Sequence, residues 1–520
     1  MKSLSRHDEE NKKMAALPGV TRLRAAFTPA GGNRRLLVAC MAVAAITLFA
    51  RLPFVLAPGM STDSYAYLDG WPTLAQLAGQ GRFGQFLVFR LLEALAVDPL
   101  SFATLLQGVG LAVFGLAVPL MFAAFSTPQQ NRLLPLCLAA LVVTLHPYSA
   151  EILTFSEASF TALLATALGT VAVFLLARRP RWWWLSGVML VAGLSMYQLL
   201  VNFVGLMVLF GFLQTYLRVG HVRRDAWPEY RPLLNAVMVM AAALVVYLVV
   251  HKAVVMSLGI QEVGRAGFLP LGKVGARFQE VLALGGFLWQ RPLLVTYGPA
   301  AKLLLWAMAL AGWMLLLIRL LLRPRTDAAL PVVAMLLVPV AAIGVVAVGA
   351  VWWPAPRILG GVVAAWAMGI YWLAWLANGR LGRVLTGVAG SALLLGFIAV
   401  GHRVHSDQLQ LNALDRLLAQ RVYAELTHVD GFTDQTPVVV VNHRLSWSHV
   451  LPLATAWMDL NLTAFADKRA VKGVLQLSNG RVLNIVPALP ADTEACNALP
   501  AWPSPGFATV RASGGVLVCI

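Results

Sequence analysis

The chain has 520 residues, of which 59% are hydrophobic and 12% charged, with a mean hydropathy of +0.74. That composition excludes a water-soluble globular protein and leaves an integral membrane protein, an α-helical one given the length of its apolar runs. The formal charge is +17, but the basic residues fall in short loops between apolar runs, which is a topology signal and not a nucleic-acid footprint.

A bilayer-crossing helix needs about 20 mostly apolar residues to rise through roughly 30 Å of hydrocarbon. Eleven such spans are predicted, near 35–56, 101–125, 133–148, 158–177, 182–198, 199–217, 233–257, 300–322, 328–350, 358–377 and 384–401. The stretch 182–217 is divided because Ser195, Tyr197, Gln198 and Asn202 cluster at its centre. Segment 84–98 carries Arg90 and Glu93 and is expected to lie along the membrane surface.

Cytoplasmic loops are enriched in Lys and Arg. Arg22, Arg24, Arg34 and Arg35 therefore place the N-terminus in the cytoplasm. Eleven crossings then put the clusters at Arg178–Arg181, Arg218–Arg224, Arg323–Arg325 and Arg380–Arg383 on the same side. The first run is too long, and followed by too many others, to read as a cleaved signal. The expected layout is a cytoplasmic basic segment 1–34, a membrane domain 35–401 and an outer domain 402–520, in a bacterial inner membrane.

From about residue 402 the composition shifts, with nine Lys/Arg against nine Asp/Glu. Leu409, Leu411, Leu414, Leu417, Leu418, Val422 and Leu426 predict an amphipathic helix over 407–428. Val438–Val441 reads as a buried strand, 446–458 as a helix, and 482–486 and Gly515–Ile520 as strands. The result is a small periplasmic α/β domain. A Cys496–Cys519 disulfide is permitted there, and two buried thiols are the alternative.

Charged groups in such a protein are expensive unless they face a wet cavity or a partner, so each is a functional candidate. The first outer loop runs from Met60 through Asp63, Tyr65, Tyr67 and Asp69 to Gly81-Arg82. An acid, aromatics and an arginine suit a sugar–phosphate site, with the carboxylate taking a proton and the guanidinium neutralising a phosphate. The plainer reading of Asp63 is a helix cap in a solvated loop.

Further polar residues fall at the same expected face: His146, Glu151, Ser156 and Glu157; Tyr197, Gln198 and Asn202; Arg357; and Glu262, Arg265, Arg277, Glu280 and Arg291 in the loop 258–299. Each has a plainer role, such as a helix-end hydrogen bond for His146 or a lipid-phosphate anchor for Arg357. No HExxH, CxxC pair, dense acidic cluster or P-loop occurs, so neither a dedicated metal site nor a nucleotide site is expected.

These residues resemble the polytopic glucosyltransferases that modify O-antigen (Gtr type), within the type-C glycosyltransferase architecture. The likeness is carried by Thr62-Asp63 with Gly81-Arg82, by Phe155-Ser156-Glu157-Ala158-Ser159, and by Gly193-Leu194-Ser195-Met196-Tyr197-Gln198. It continues in Pro356-Arg357 and in Cys496 through Pro503 with the closing strand. The family loop often has two adjacent acids, where this chain has Thr62 and Asp63, and Glu157 stands where Asp is common.

The resemblance implies a transferase that moves a sugar, glucose by analogy, from a polyprenyl-phosphate-linked donor to O-antigen or another surface glycan. Asp63 would be the catalytic base. Arg82, Arg357 and Arg265 would hold the donor phosphate, and Asp69, Glu157, Tyr197 and Gln198 would line or support the sugar pocket. A donor synthase and a flippase would be needed elsewhere in the cell, and a divalent metal is left open. The alternatives are a type-C transferase with another sugar or a lipid or protein acceptor, and a transporter or flippase of lipid-linked saccharides. The absence of repeats, unequal spans and one-sided polar residues weigh against a transporter.

Overall fold

The computed structural model describes residues 31–70, 72–128, 130–260, 267–294, 299–322, 329–377, 379–442, 462–498, 508–510 and 515–520. Most of the basic N-terminal segment, Arg265, Arg323, Arg325 and the expected helix 446–458 lie outside the described residues.

The protein is a polytopic helical membrane protein. Seven helices among the described residues are long and apolar enough to cross a bilayer, eight if a bent pair is counted as one span. Two of the eleven expected spans form shorter helices, Trp183–Met196 with 14 residues and Gly360–Leu376 with 17. The first rises about 21 Å, less than the hydrocarbon thickness. Apolar composition measures the whole run, whereas Arg179-Pro180 and the break at Tyr197 set where the helix begins and ends.

The bent pair, Leu133–Leu145 and Pro147–Thr154, turns by 45°. Pro147 has no N–H to continue the ladder and its ring crowds the preceding turn, so the helix breaks there. The buried Arg51 covers the break, its Nη2 donating to the Leu145 and His146 carbonyls at 2.8 and 3.0 Å. Arg51 itself separates helix Gly31–Ala50 from the short helix Leu52–Leu56. His146 accepts from the Tyr148 N–H, the helix-end role open to it from sequence.

Close helix approaches use small residues, as expected where lipid gives no hydrophobic drive to association. A Cβ on Gly312 would stand 1.7 Å from the Gly369 carbonyl oxygen, and one on Gly361 2.3 Å from that of Ala342. The region 258–299, expected as a loop, holds helix Val274–Gln290. Arg277 on it donates to the Val346, Ala347 and Gly349 carbonyls at 3.0, 3.1 and 2.7 Å, capping the end of helix Ala329–Val348.

The last span and the amphipathic helix expected after it are one continuous helix, Arg380–Thr427, 48 residues long. At about 72 Å it exceeds the hydrocarbon thickness twofold. The composition shift at 402 therefore falls inside a helix, and the chain leaves the bundle without a linker. Beyond it, β1 (Val438–Val441), β2 (Ala508–Val510) and β3 (Val516–Cys519) form a sheet in the order β1-β3-β2. β1 runs parallel to β3 from Val438↔Val516 to Val441↔Cys519, and β2 runs antiparallel to β3. The segment 482–486 touches β1 through one bridge, Val438↔Ile485, rather than as a full strand.

Helices Lys468–Asn479 and Pro490–Asn497 complete this part. Cys496 and Cys519 form a disulfide with Cα atoms 5.3 Å apart. The core combines Leu418, Val422 and Leu426 of the long helix with Val438, Val474, Val516 and Ile520, and it takes in Tyr65 from the acidic loop.

Candidate active site

The loop that carries Asp63 is held from three sides. Asn412 of the long helix pairs with both backbone groups of Met60, accepting from its N–H at 2.9 Å and donating to its carbonyl at 2.8 Å. Gln408 adds a bond to the same carbonyl at 2.7 Å. The Ser156 hydroxyl donates to the Gly59 carbonyl. From the third side helix 468–479 packs so closely that a Cβ on Gly473 would lie 1.8 Å from the Tyr65 carbonyl oxygen.

Within the loop, residues Thr62–Ala66 form one short helix. Ser61 caps it, accepting from the Ser64 N–H at 3.1 Å while Ser64 Oγ accepts from the Ser61 N–H at 3.1 Å. The cap is thus Ser61, not Asp63. Asp63 is left with its side chain 39% exposed, paired with Arg469 at 3.3 Å between Oδ1 and Nη2.

Ser64 Oγ donates to Glu157 Oε2 at 2.5 Å. Glu157 is buried in the turn between helices Pro147–Thr154 and Ser159–Arg178. Burial, and after it the Asp63 charge, push its carboxyl up to about 8, so it holds a proton at neutral pH. Tyr67 lies in the fields of Glu157, Asp63, Arg82 and Arg469 together, and burial pushes its hydroxyl well up. Two acids, a phenol and two guanidiniums therefore converge on one place.

Arg82 precedes helix Phe83–Ala94, its guanidinium 5.4 Å from the centre of the Tyr197 ring. The Gly81 turn aims it. Gly81 has φ +75°, which favours glycine, and a Cβ there would meet Tyr247 Oη at 2.4 Å and Gln198 Nε2 at 2.6 Å. Gln198 donates to the Gln80 carbonyl at 3.1 Å and Tyr247 to the Gly81 carbonyl at 3.0 Å. Gln198 thus fixes the backbone behind Arg82, alongside its bond to Tyr247 at 3.0 Å.

Arg357 donates from Nη1 to Glu151 Oε1 at 2.7 Å and from its backbone N–H to Oε2 at 2.5 Å. Its guanidinium stacks 4.3 Å from the Phe155 ring centre. Glu151 is fully buried, so this arginine neutralises an internal carboxylate where a lipid-phosphate anchor was one expectation. Asp69 ends a single 3-10 turn and its side chain lies outside the described residues, as does Arg265. Among the described residues no group of three or more His, Cys, Asp or Glu is placed to hold a metal.

A groove of about 620 Å³ opens between helices 83–94, 183–196 and 227–258, with Phe83, the residue after Arg82, in its lining. It starts at Phe83, Gly84, Ser195 and Met196 and reaches Trp183 and Trp184, with Gly187, Val239 and Ala243 on its walls. Sequence reasoning named Arg82 and Tyr197 but not this groove, and it gave no role to Ser64, Tyr247 or Arg469. Asp467-Lys468-Arg469 has the look of an ordinary helix start, and no local signal ties it to a loop four hundred residues earlier.

A polytopic bundle with an accessible carboxylate, flanking guanidiniums and an apolar groove at its edge has the build of a membrane-embedded transferase. The family model for glucosyl transferase GtrII matches residues 52–366, more than half of the chain, and the protein belongs to that family. No curated protein and no solved structure matched. Membership makes the protein a membrane glycosyltransferase, with a sugar donor and a glycan acceptor as its partners. The matched stretch contains Asp63, Arg82, Glu151, Glu157, Tyr197, Gln198 and Arg357; Arg469 lies beyond it.

Proposed function

We propose that this protein transfers glucose from a polyprenyl-phosphate-linked donor to O-antigen or another surface glycan, on the periplasmic side of a bacterial inner membrane. The observation that carries the reading is the position of Asp63: half-exposed, paired with Arg469, and sharing with Arg82 and Glu157 the surroundings of Tyr67. Asp63 takes the proton of the acceptor hydroxyl as its oxygen attacks the anomeric carbon. The bond from that carbon to the phosphate oxygen breaks, and the phosphate leaves with the electron pair. Arg82 stabilises that charge, and the product has inverted configuration.

The groove supports a lipid-linked donor, because its apolar lining begins at Phe83, the residue after Arg82, and has the volume to take part of an isoprenoid chain. The arginine clusters support a cytoplasmic N-terminus. The Cys496–Cys519 disulfide supports an oxidising compartment for the C-terminal domain. On this reading a donor synthase and a flippase act upstream.

The test expresses the wild type and Asp63→Asn in a host that supplies polyprenyl-phosphate-glucose and follows the mass of its polysaccharide repeat. One hexose gained with the wild type and lost with the variant, at equal membrane levels, is the expected result. A gain that survives in Asp63→Asn removes Asp63 as the base.

A further inference from the structure

We propose that Arg469 is a positioning residue for the transfer reaction, supplied to Asp63 by the C-terminal domain. This rests on reading Asp63 as the base.

The guanidinium is clamped on its own helix. Asp467 caps helix 468–479 by accepting from the Arg469 N–H at 2.9 Å, and its carboxylate also takes Nε at 3.3 Å and Nη2 at 2.7 Å. The Nη2 edge then reaches across to Asp63 Oδ1 at 3.3 Å. The helix cannot slide relative to the loop, because Gly473 is pressed against the Tyr65 backbone and the Tyr65 ring is buried in the C-terminal core. Two parts of the chain that meet only in the folded protein thus hold one carboxylate.

With side chains 39% and 57% exposed, the pair adds little to stability. Its consequence is chemical. Among the described residues Oδ2 of Asp63 takes no hydrogen bond, so Arg469 fixes one oxygen and leaves the other for the acceptor proton. The cation also offsets the acids around it. Asp63 is faced by Arg469 from helix 468–479, by Tyr67 from its own loop, and by Glu157 from the turn before helix 159–178, while Asp467 and Lys468 act on one another beside Arg469. Arg82 and Arg357 act from farther around the same group, while Asp415 and Arg416 of the long helix face Tyr65 instead. Arg469 is the cation in direct contact, so its removal leaves Asp63 beside Glu157 with less compensation. Because the family match ends at residue 366, this assignment belongs to the fold of this chain and not to the matched stretch.

The test is the pH profile of kcat/KM for wild type, Arg469→Ala, Arg469→Lys and Asp467→Asn in the full-length protein, with polyprenyl-phosphate-glucose as donor. Arg469→Ala removes the cation in contact with the carboxylate, so the acid limb of the profile should move up, by about 0.2–0.7 pH unit for a pair this exposed. Arg469→Lys should return the limb towards wild type, and Asp467→Asn should fall between. If the alanine variant fails to accumulate in membranes, Arg469→Gln, which keeps the contact with Asp467, reads the same shift. A limb that superimposes on wild type overturns the proposal, whatever happens to kcat. A silent wild type sinks the reading of polyprenyl-phosphate-glucose as the donor, and an active wild type with an unmoved limb sinks this inference alone.

Discussion

Asn412 and Met60 lie 352 positions apart, yet the Asn412 amide satisfies both backbone groups of Met60, at 2.8 and 2.9 Å. This amide works as a local substitute for a strand partner, and it fixes the start of the loop three residues before Asp63. Asn412→Leu keeps the volume but orphans the Met60 N–H, a cost of about 1–2 kcal/mol. The expected outcome is a lower Tm in detergent and a larger loss of transfer than of membrane level. Unchanged Tm and unchanged transfer would remove this contact from the design of the site.

Glu157 gives a pH dependence with a definite sign. Its folded value of about 8 lies above the ordinary 4.5. Between those two values the folded state holds a proton that the unfolded chain has lost, so stability falls as pH rises through the window. Glu157→Gln keeps an acceptor for Ser64 and abolishes the slope. Its Tm should match wild type near pH 5 and exceed it near pH 8. Parallel Tm curves for the two proteins across that range would contradict the buried, protonated carboxyl.

Arg357→Ala leaves the Glu151 carboxylate buried with its main cation gone, which costs about 3–5 kcal/mol. Arg357→Gln combined with Glu151→Gln should recover much of that, since the charge penalty disappears with both partners. Measured as folded yield and Tm, full recovery of stability without recovery of transfer would show that the arginine also serves substrate.

The groove makes a chain-length prediction. A Cβ on Gly187 would meet Val239 Cγ1 at an ordinary 3.8 Å, so the wall has room for a small side chain and a large one must fill the groove. Gly187→Trp should displace roughly 60–100 Å² of buried donor chain, about 1.5–2.5 kcal/mol. KM for a long-chain donor should rise about ten- to sixty-fold, with little change for a short-chain analogue. Equal effects on both donors would place the chain elsewhere.

Much of the helical scaffold was legible because apolar run length and proline position act locally. Thr62-Asp63, Gly81-Arg82, Glu157 and Tyr197-Gln198 were legible as candidates because polar groups in an apolar chain are costly. Their partners were not. Gln198, expected to line or support the pocket, holds the backbone behind Arg82, and Arg357, a candidate for the donor phosphate, pairs with Glu151. Nothing in 274–290 announced a helix that caps another.

The sequence alone determined that this is a polytopic membrane protein with a polar C-terminal part and an acidic loop near its first span, because hydrophobic burial is additive along the chain and is read from composition. Only the tertiary structure decided that the loop is clamped by Asn412, that Tyr65 plugs the C-terminal core, and that Arg469 meets Asp63. Such contacts depend on where distant helices dock. A single 48-residue helix sets that docking, and no local pattern encodes it.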